Sequence, residues 1–236
     1  MSKKGNTLRP MRPPFLFLFC VSLMLFPWPG IAGIPQELNR VTLVNETGAS
    51  LSRLFWAPTY QGSRNWVWGP NVLSLKGTLR YGETLSFYIH YPDTCGLFDF
   101  LAFDDQGSGY RLSSFQICNR EEGLVILEPL NRVQSRNLPV VEEITVEFIN
   151  DGPTDIWFLF LSPRSFALWG FDVLTDGSVL GPGDRLSLGL PYTKESLGAQ
   201  AYDLLAVDGN DQLFNNRYEF MPGEQTVLML SDLITR

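Results

Sequence analysis

Phe98-Asp-Phe-Leu-Ala-Phe-Asp104 returns later in the chain as Tyr202-Asp-Leu-Leu-Ala-Val-Asp208, and this pair of heptads decides how the rest is read. Working outward, further landmarks recur in the same order. Leu79-Arg-Tyr-Gly-Glu-Thr-Leu85 matches Leu180-Gly-Pro-Gly-Asp-Arg-Leu186, and Trp68-Gly-Pro-Asn-Val-Leu73 matches Trp169-Gly-Phe-Asp-Val-Leu174. Leu51 to Pro58 (LSRLFWAP) matches Ile156 to Pro163 (IWFLFLSP), and Val41-Thr-Leu-Val-Asn45 matches Thr145-Val-Glu-Phe-Ile-Asn150. The offset stays between 101 and 105 residues. Self-similarity at near-constant spacing is the mark of a duplication, so two tandem copies are expected.

Each copy reads as strands. Leu85, Phe87 and Ile89 alternate with Ser86, Tyr88 and His90, the period of a strand with one buried face. The second copy keeps Leu186, Leu188 and Leu190. Near Leu54 and Phe55 the apolar spacing slips phase, which predicts a β-bulge or a strand that changes sheets. Gly82-Glu83 and Gly183-Asp184 mark turns, and Asp105–Ser108 and Gly209–Asp211 have hairpin-turn composition. Gly 21, Pro 16 and 13% aromatics also favour short strands over helices. The expected fold is all-β, with two tandem antiparallel β-sandwich domains of Ig-like or Greek-key type over 33–128 and 143–236. The aperiodic, proline-bearing stretch 129–142 reads as their linker.

The N-terminus is a separate object. Lys3, Lys4, Arg9 and Arg12 precede an apolar run from Phe15 to Phe26, then Pro27 and Pro29, then Gly30-Ile31-Ala32. Basic, apolar, breaker and small residues in that order predict a secretory signal peptide over 1–32. The run is short for a membrane span, so an uncleaved anchor is the alternative. Cys20 inside it reads as passive. Export to the periplasm or the extracellular space is expected, with no membrane span after cleavage. Removal of 1–32 leaves 14 basic against 25 acidic residues, a net charge of −11. An acidic surface argues against nucleic acid as a partner, which rewards clustered Lys and Arg. Two cysteines remain, Cys95 and Cys118, equidistant from the turn centre at Gln106–Gly107. Across an antiparallel hairpin they would oppose one another and pair as a disulfide, worth on the order of 3 kcal/mol.

The recurring pattern is an Asn followed by a Gly turn, Ser/Ala-Pro after a β run, Trp-Gly-x-Asn/Asp-x-Leu, Leu-x-x-Gly, and an aromatic-Asp pair preceded by cysteine. It resembles an uncharacterised family of secreted bacterial β-sandwich repeats, and the resemblance covers both halves of 41–230. It implies the sandwich fold and export. The second copy departs from it at both cysteines, where Ala199 and Met221 stand.

Candidate site residues are few. Trp68 and Trp169 are paired between the copies, as are Asp99 and Asp203. A carboxylate among apolar neighbours needs hydrogen bonds, so each Asp is expected to accept from its Trp-Gly loop, a structural role. Calcium held by Asp172, Asp203 and Asp208 is an alternative, but the dense Asp/Asn/Gly loop that calcium favours is missing. No cofactor or metal is expected. His90, the single histidine, is expected to face solvent on the Tyr88 side of its strand. Asn45-Glu-Thr47 is a glycosylation sequon, yet it is also the repeat's own turn. Trp56–Trp68 (WAPTYQGSRNWVW) is longer in copy one and adds Tyr60, Arg64 and Trp66, a candidate contact loop. The expected function is a non-enzymatic binding or structural protein acting through protein contacts at the cell envelope. A carbohydrate-binding module using that loop is the alternative. A glycosidase-type carboxylate pair comes last, since only spatial proximity would reveal it.

Overall fold

The computed structural model describes residues 38–59, 67–90, 95–118, 122–134, 141–193, 200–221 and 226–235. The expected signal peptide, the loop residues Tyr60, Arg64 and Trp66, and Ala199 lie outside them. The described residues form strands and short 3-10 turns, with no α-helix among them. In the first half the strands are β1 (Leu38–Asn45), β2 (Leu51–Pro58), β3 (Thr84–His90), β4 (Cys95–Asp104), β5 (Gly109–Cys118), β6 (Gly123–Leu127) and β7 (Arg132–Val133). In the second they are β8 (Val141–Ile149), β9 (Ile156–Pro163), β10 (Gly170–Phe171), β11 (Arg185–Thr193), β12 (Gln200–Asp208), β13 (Leu213–Phe220), β14 (Thr226–Met229) and β15 (Ile234–Thr235).

Four sheets result: β10-β3-β1-β6, β2-β4-β5-β7, β11-β8-β14 and β15-β13-β12-β9. Period-two alternation gives β1, β3 and β8 one apolar face each, whereas β2, β4, β9 and β12 are buried on both faces over much of their length, and the inner faces meet in pairs. Val41, Leu43 and Phe87 of the first sheet share a core with Leu54, Phe98 and Phe100 of the second. Val146, Phe148 and Leu188 likewise meet Leu159, Leu161 and Leu204. The fold is therefore all-β and sandwich-layered, as the alternation predicts. Pairing is antiparallel except for β1 with β6 and β8 with β14, which are parallel. The cause is topological, since the chain leaves β5 or β13 in one sheet and re-enters the other alongside its first strand.

Several local devices occur twice. Asn45, fully buried, donates from Nδ2 to the carbonyls of Ala49 and Leu79 (both 2.8 Å). Asn150 donates from Nδ2 to Thr154 and Leu180 at the same distances. Gly82, at φ +77°, donates to the Asn45 carbonyl, and Gly183, at φ +83°, to that of Asn150 (both 2.7 Å). Positive φ is the reason both turns carry glycine. The β-bulge falls between Leu51 and Arg53, just before the expected slip at Leu54 and Phe55.

The halves are joined by strand pairing as well as by side-chain packing. Strand β10, from the second half, adds to the β3 edge of the first, with Gly170 opposite His90 and Phe171 opposite Ile89. Asp172 N–H donates to the Tyr88 carbonyl (2.7 Å), and Asn71 N–H donates to the Gly189 carbonyl (2.9 Å). Asn71 and Asp172 hold matching places in the two Trp-Gly motifs, as Tyr88 and Gly189 do in the two strands that follow. The joint is thus one contact made in both directions. Tyr88 meets Phe158 edge-on at 5.5 Å, and His90 lies 6.4 Å from Phe160. This corrects the expectation that His90 faces solvent, because the second face of β3 is covered by the other half. Across the same joint, Arg53 donates to the Val141 carbonyl (3.1 Å), while within its own half it stands over the Phe103 ring. Glu143 accepts from Asn71 Nδ2 (3.3 Å), and burial pushes its carboxyl upward against the Asn71 hydrogen bond and the Arg53 charge.

Asn71 and Asp172 do the same work with different charge. Asn71 Oδ1 accepts from the N–H groups of Leu54 and Leu73 (both 3.0 Å). Asp172 Oδ1 accepts from Leu159 (2.9 Å) and Leu174 (3.0 Å). Burial pushes the Asp172 carboxyl well above the ordinary carboxylate range, against the pull of those two donors. A raised folded-state value means the native protein binds the proton more tightly than the unfolded chain, so stability falls as pH rises toward neutrality. Asp172→Asn is expected to raise the melting temperature at pH 7. The difference should shrink toward zero below the ordinary carboxylate range, as melts across pH 3–8 would show.

Candidate binding site

Asp99 sits where strand pairing is interrupted. The β4–β5 register shifts between Phe98 and Phe100, leaving an extra residue at Ser113–Ser114, and Ser114 adopts φ +58°. The Ser114 N–H, freed from the ladder, donates to Asp99 Oδ1 (2.8 Å). Thr59 Oγ1 adds a 2.7 Å bond to the same oxygen, and Arg111 closes a 2.9 Å ion pair on Oδ2. The expected donor was the Trp-Gly loop, but Trp68 Nε1 has no hydrogen-bond partner among the described residues. Its ring packs beneath Arg111, whose guanidinium carbon lies 5.9 Å away. Asp99 therefore holds a bulge. The β12–β13 ladder has no such shift, and Asp203 stands opposite Arg217, which donates from Nε at 2.8 Å at the surface. Trp169 packs against Phe160, Leu205 and Val207.

Cys95 and Cys118 are directly opposed in the ladder and joined by a disulfide, as their distance from the turn centre predicts. The turn between them is organised by Asp104, which accepts from Gln106 N (3.0 Å) and Ser108 N (2.7 Å) on Oδ1 and from Tyr110 Oη (3.3 Å) on Oδ2. Asp208 repeats the device with Asn210 N (2.9 Å) and Gln212 N (2.8 Å), its second oxygen taken by Thr154 (2.8 Å). Asp172, Asp203 and Asp208, the carboxylates considered for calcium, thus each have separate donors, and no metal-holding group of three His, Cys, Asp or Glu occurs among the described residues. The sequon nitrogen, Asn45 Nδ2, is buried and bonded within its turn.

Where the β1–β2 turn meets the β4–β5 turn, a cleft of about 490 Å³ opens. Thr47, Gly48, Ala49 and Ser50 form one wall, and Asp104, Asp105, Gln106 and Ser108 the other, with Tyr110 and Arg132 closing it. Arg132 comes from β7, opposite Tyr110 in the ladder, and donates to Ser108 Oγ (3.0 Å). Burial and the Asp104 carboxylate push the Tyr110 hydroxyl upward, so it stays protonated. Sequence reasoning missed this cleft, because Arg132 fell within the expected linker.

No family model matches the chain, and no curated protein matches it. Among solved structures it is similar to an adhesin-like protein from Bacteroides ovatus, at 10% identity and a TM-score of 0.21, covering 81% of this chain and 89% of that one. It is also similar to fibronectin(III)-like modules of Clostridium thermocellum CbhA, at 8% identity and a TM-score of 0.17, covering 80% and 90%. At such scores the likeness carries no argument about function.

The two aspartates make a direct comparison. Asp99→Asn removes a buried charge from an arginine and is expected to cost roughly 1.5–3 kcal/mol. Asp203→Asn breaks an exposed pair and should cost under about 1 kcal/mol. Urea titrations of both variants check the difference.

Proposed function

We propose that this chain is an exported, non-enzymatic binding or structural protein that acts through protein contacts at the cell envelope, and that its halves are copies of one sandwich unit. The reciprocal joint is the observation that carries the reading. It fixes the two sandwiches to one another by strand pairing and shared aromatic packing, so that surfaces far apart on the chain keep a set relation. The carboxylates that could perform chemistry, Asp99, Asp104, Asp172 and Asp208, are engaged in holding turns, a bulge and that joint. The twice-made Asn45/Asn150 and Gly82/Gly183 devices favour duplication, and the disulfide favours an oxidising compartment. The alternative, carbohydrate binding through Tyr60, Arg64 and Trp66, rests on the composition of that loop.

The test is photo-crosslinking of the full chain in the cells that make it, from exposed positions spread over the surface such as Leu130, Tyr81 and Trp157. Discrete protein adducts that cluster on one side are expected. Absence of adducts at every position, together with a hydrolytic activity abolished by Asp99→Asn, would contradict the reading.

A further inference from the structure

We infer that the cleft between the β1–β2 and β4–β5 turns is a binding site for a neutral, polyhydroxylated ring, that is, one or two sugar units. The argument starts from charge. Asp104 and Asp105 lie on one wall and Arg132 closes the cleft. A phosphate or carboxylate would have to approach two aspartates, and an amine or metal cation would have to approach the guanidinium. A hydroxyl avoids both conflicts, because it donates to a carboxylate and accepts from a guanidinium at once. Vicinal hydroxyls on one ring present that combination twice over.

The lining matches this demand in kind. Both Asp104 oxygens already accept hydrogen bonds, so it adds negative charge to its wall and leaves direct contact with the ligand to its neighbours. The groups left for a ligand lie on the rim: the exposed carboxylate of Asp105, the exposed carboxamide of Gln106, the Ser50 hydroxyl, and the Arg132 donors beyond the one on Ser108. Planar carboxylate, carboxamide and guanidinium groups are suited to paired hydroxyls. The volume, about 490 Å³, lies within the range of small-molecule sites. Asp104 bonds to Gln106, Ser108 and Tyr110 make the walls rigid before any ligand arrives, which lowers the ordering cost of binding.

The second half shows that the turn does not require this lining. Its turn is built the same way around Asp208, but Phe214 and Thr235 stand where Tyr110 and Arg132 pair in the first half. Trp157 there lies against the turn, with its Nε1 only 2.9 Å from where a Cβ on Gly209 would sit. The first half therefore differs from the second by an added tyrosine and arginine at one place. The site is built from residues other than Tyr60, Arg64 and Trp66, and it does not depend on the protein-contact reading.

Saturation-transfer NMR on the full exported chain tests it. The probes are the methyl glycosides of glucose, galactose and mannose and free N-acetylglucosamine, with inorganic phosphate and calcium chloride as charged controls. At least one glycoside should bind in the millimolar range, and Arg132→Met should weaken it tenfold or more without altering the melting temperature. Asn210→Ala, in the matching turn of the second half, should leave it unchanged. The inference is overturned if none of the sugars gives a signal, if phosphate or calcium binds in their place, or if Arg132→Met leaves sugar binding intact.

Discussion

The indole of Trp56 occupies a slot that only glycine leaves open. A Cβ on Gly69 would lie 2.3 Å from one edge of the ring, and a Cβ on Gly170 would lie 1.9 Å from another. These two glycines belong to the paired Trp-Gly motifs, one from each half, so a side chain from β2 is clamped between the halves. Around it stand Phe171, Phe166 and Phe98, at 4.8, 5.4 and 6.4 Å. The ring is fully buried, and its Nε1 has no hydrogen-bond partner among the described residues. Leaving that N–H unpaired costs about 1–3 kcal/mol, while losing a buried tryptophan costs about 3–5 kcal/mol. Packing wins, and it can do so only while both glycines remain.

From this contact follows the mixed character of the joint. Its outer parts are reciprocal, Asn71 reaching Gly189 as Asp172 reaches Tyr88, the arrangement expected of an isologous interface between two like units. Its centre is not. Leu161 stands at the second-half place that matches Trp56 in the aligned strands, and Phe166 and Phe171 are drawn into the first-half core. Gly170 adopts φ +74°, a backbone state its close neighbours would deny any other residue. The symmetry of the joint is broken where the larger side chain stands.

Much of this was legible in the sequence, for identifiable reasons. Period-two spacing marked β3 and β11, and turn chemistry placed the β4–β5 hairpin closely enough to pair Cys95 with Cys118. What the alternation cannot show is which partner covers a strand's second face, and so Tyr88 and His90 read as wet although Phe158 and Phe160 lie against them. The parallel pairs β1–β6 and β8–β14 were hidden for a related reason, since they join strands far apart in sequence. Asp99 was recognised as a carboxylate in need of donors, but the bulge that supplies Ser114 N–H depends on register between two strands. Recurrence of Trp-Gly was visible, whereas its cause, the clamp on Trp56, lies in a third segment. Arg132 shows the same limit, because a two-residue strand leaves no periodic trace.

The two halves of the described chain are pinned together, and the first carries features that the second lacks: the disulfide, the bulge held by Asp99, and the Tyr110–Arg132 pair beside its hairpin turn. Binding at the cleft and protein contact elsewhere would then be displayed on a frame whose parts cannot turn independently. The central claim is the clamp, and calorimetric melting of the parent chain beside Gly170→Ala tests it most directly. The account predicts one cooperative transition for the parent, with calorimetric and van't Hoff enthalpies equal. In the variant the transition should fall in temperature and split as the halves uncouple. Two independent transitions in the parent, or an unchanged single transition in the variant, would contradict it.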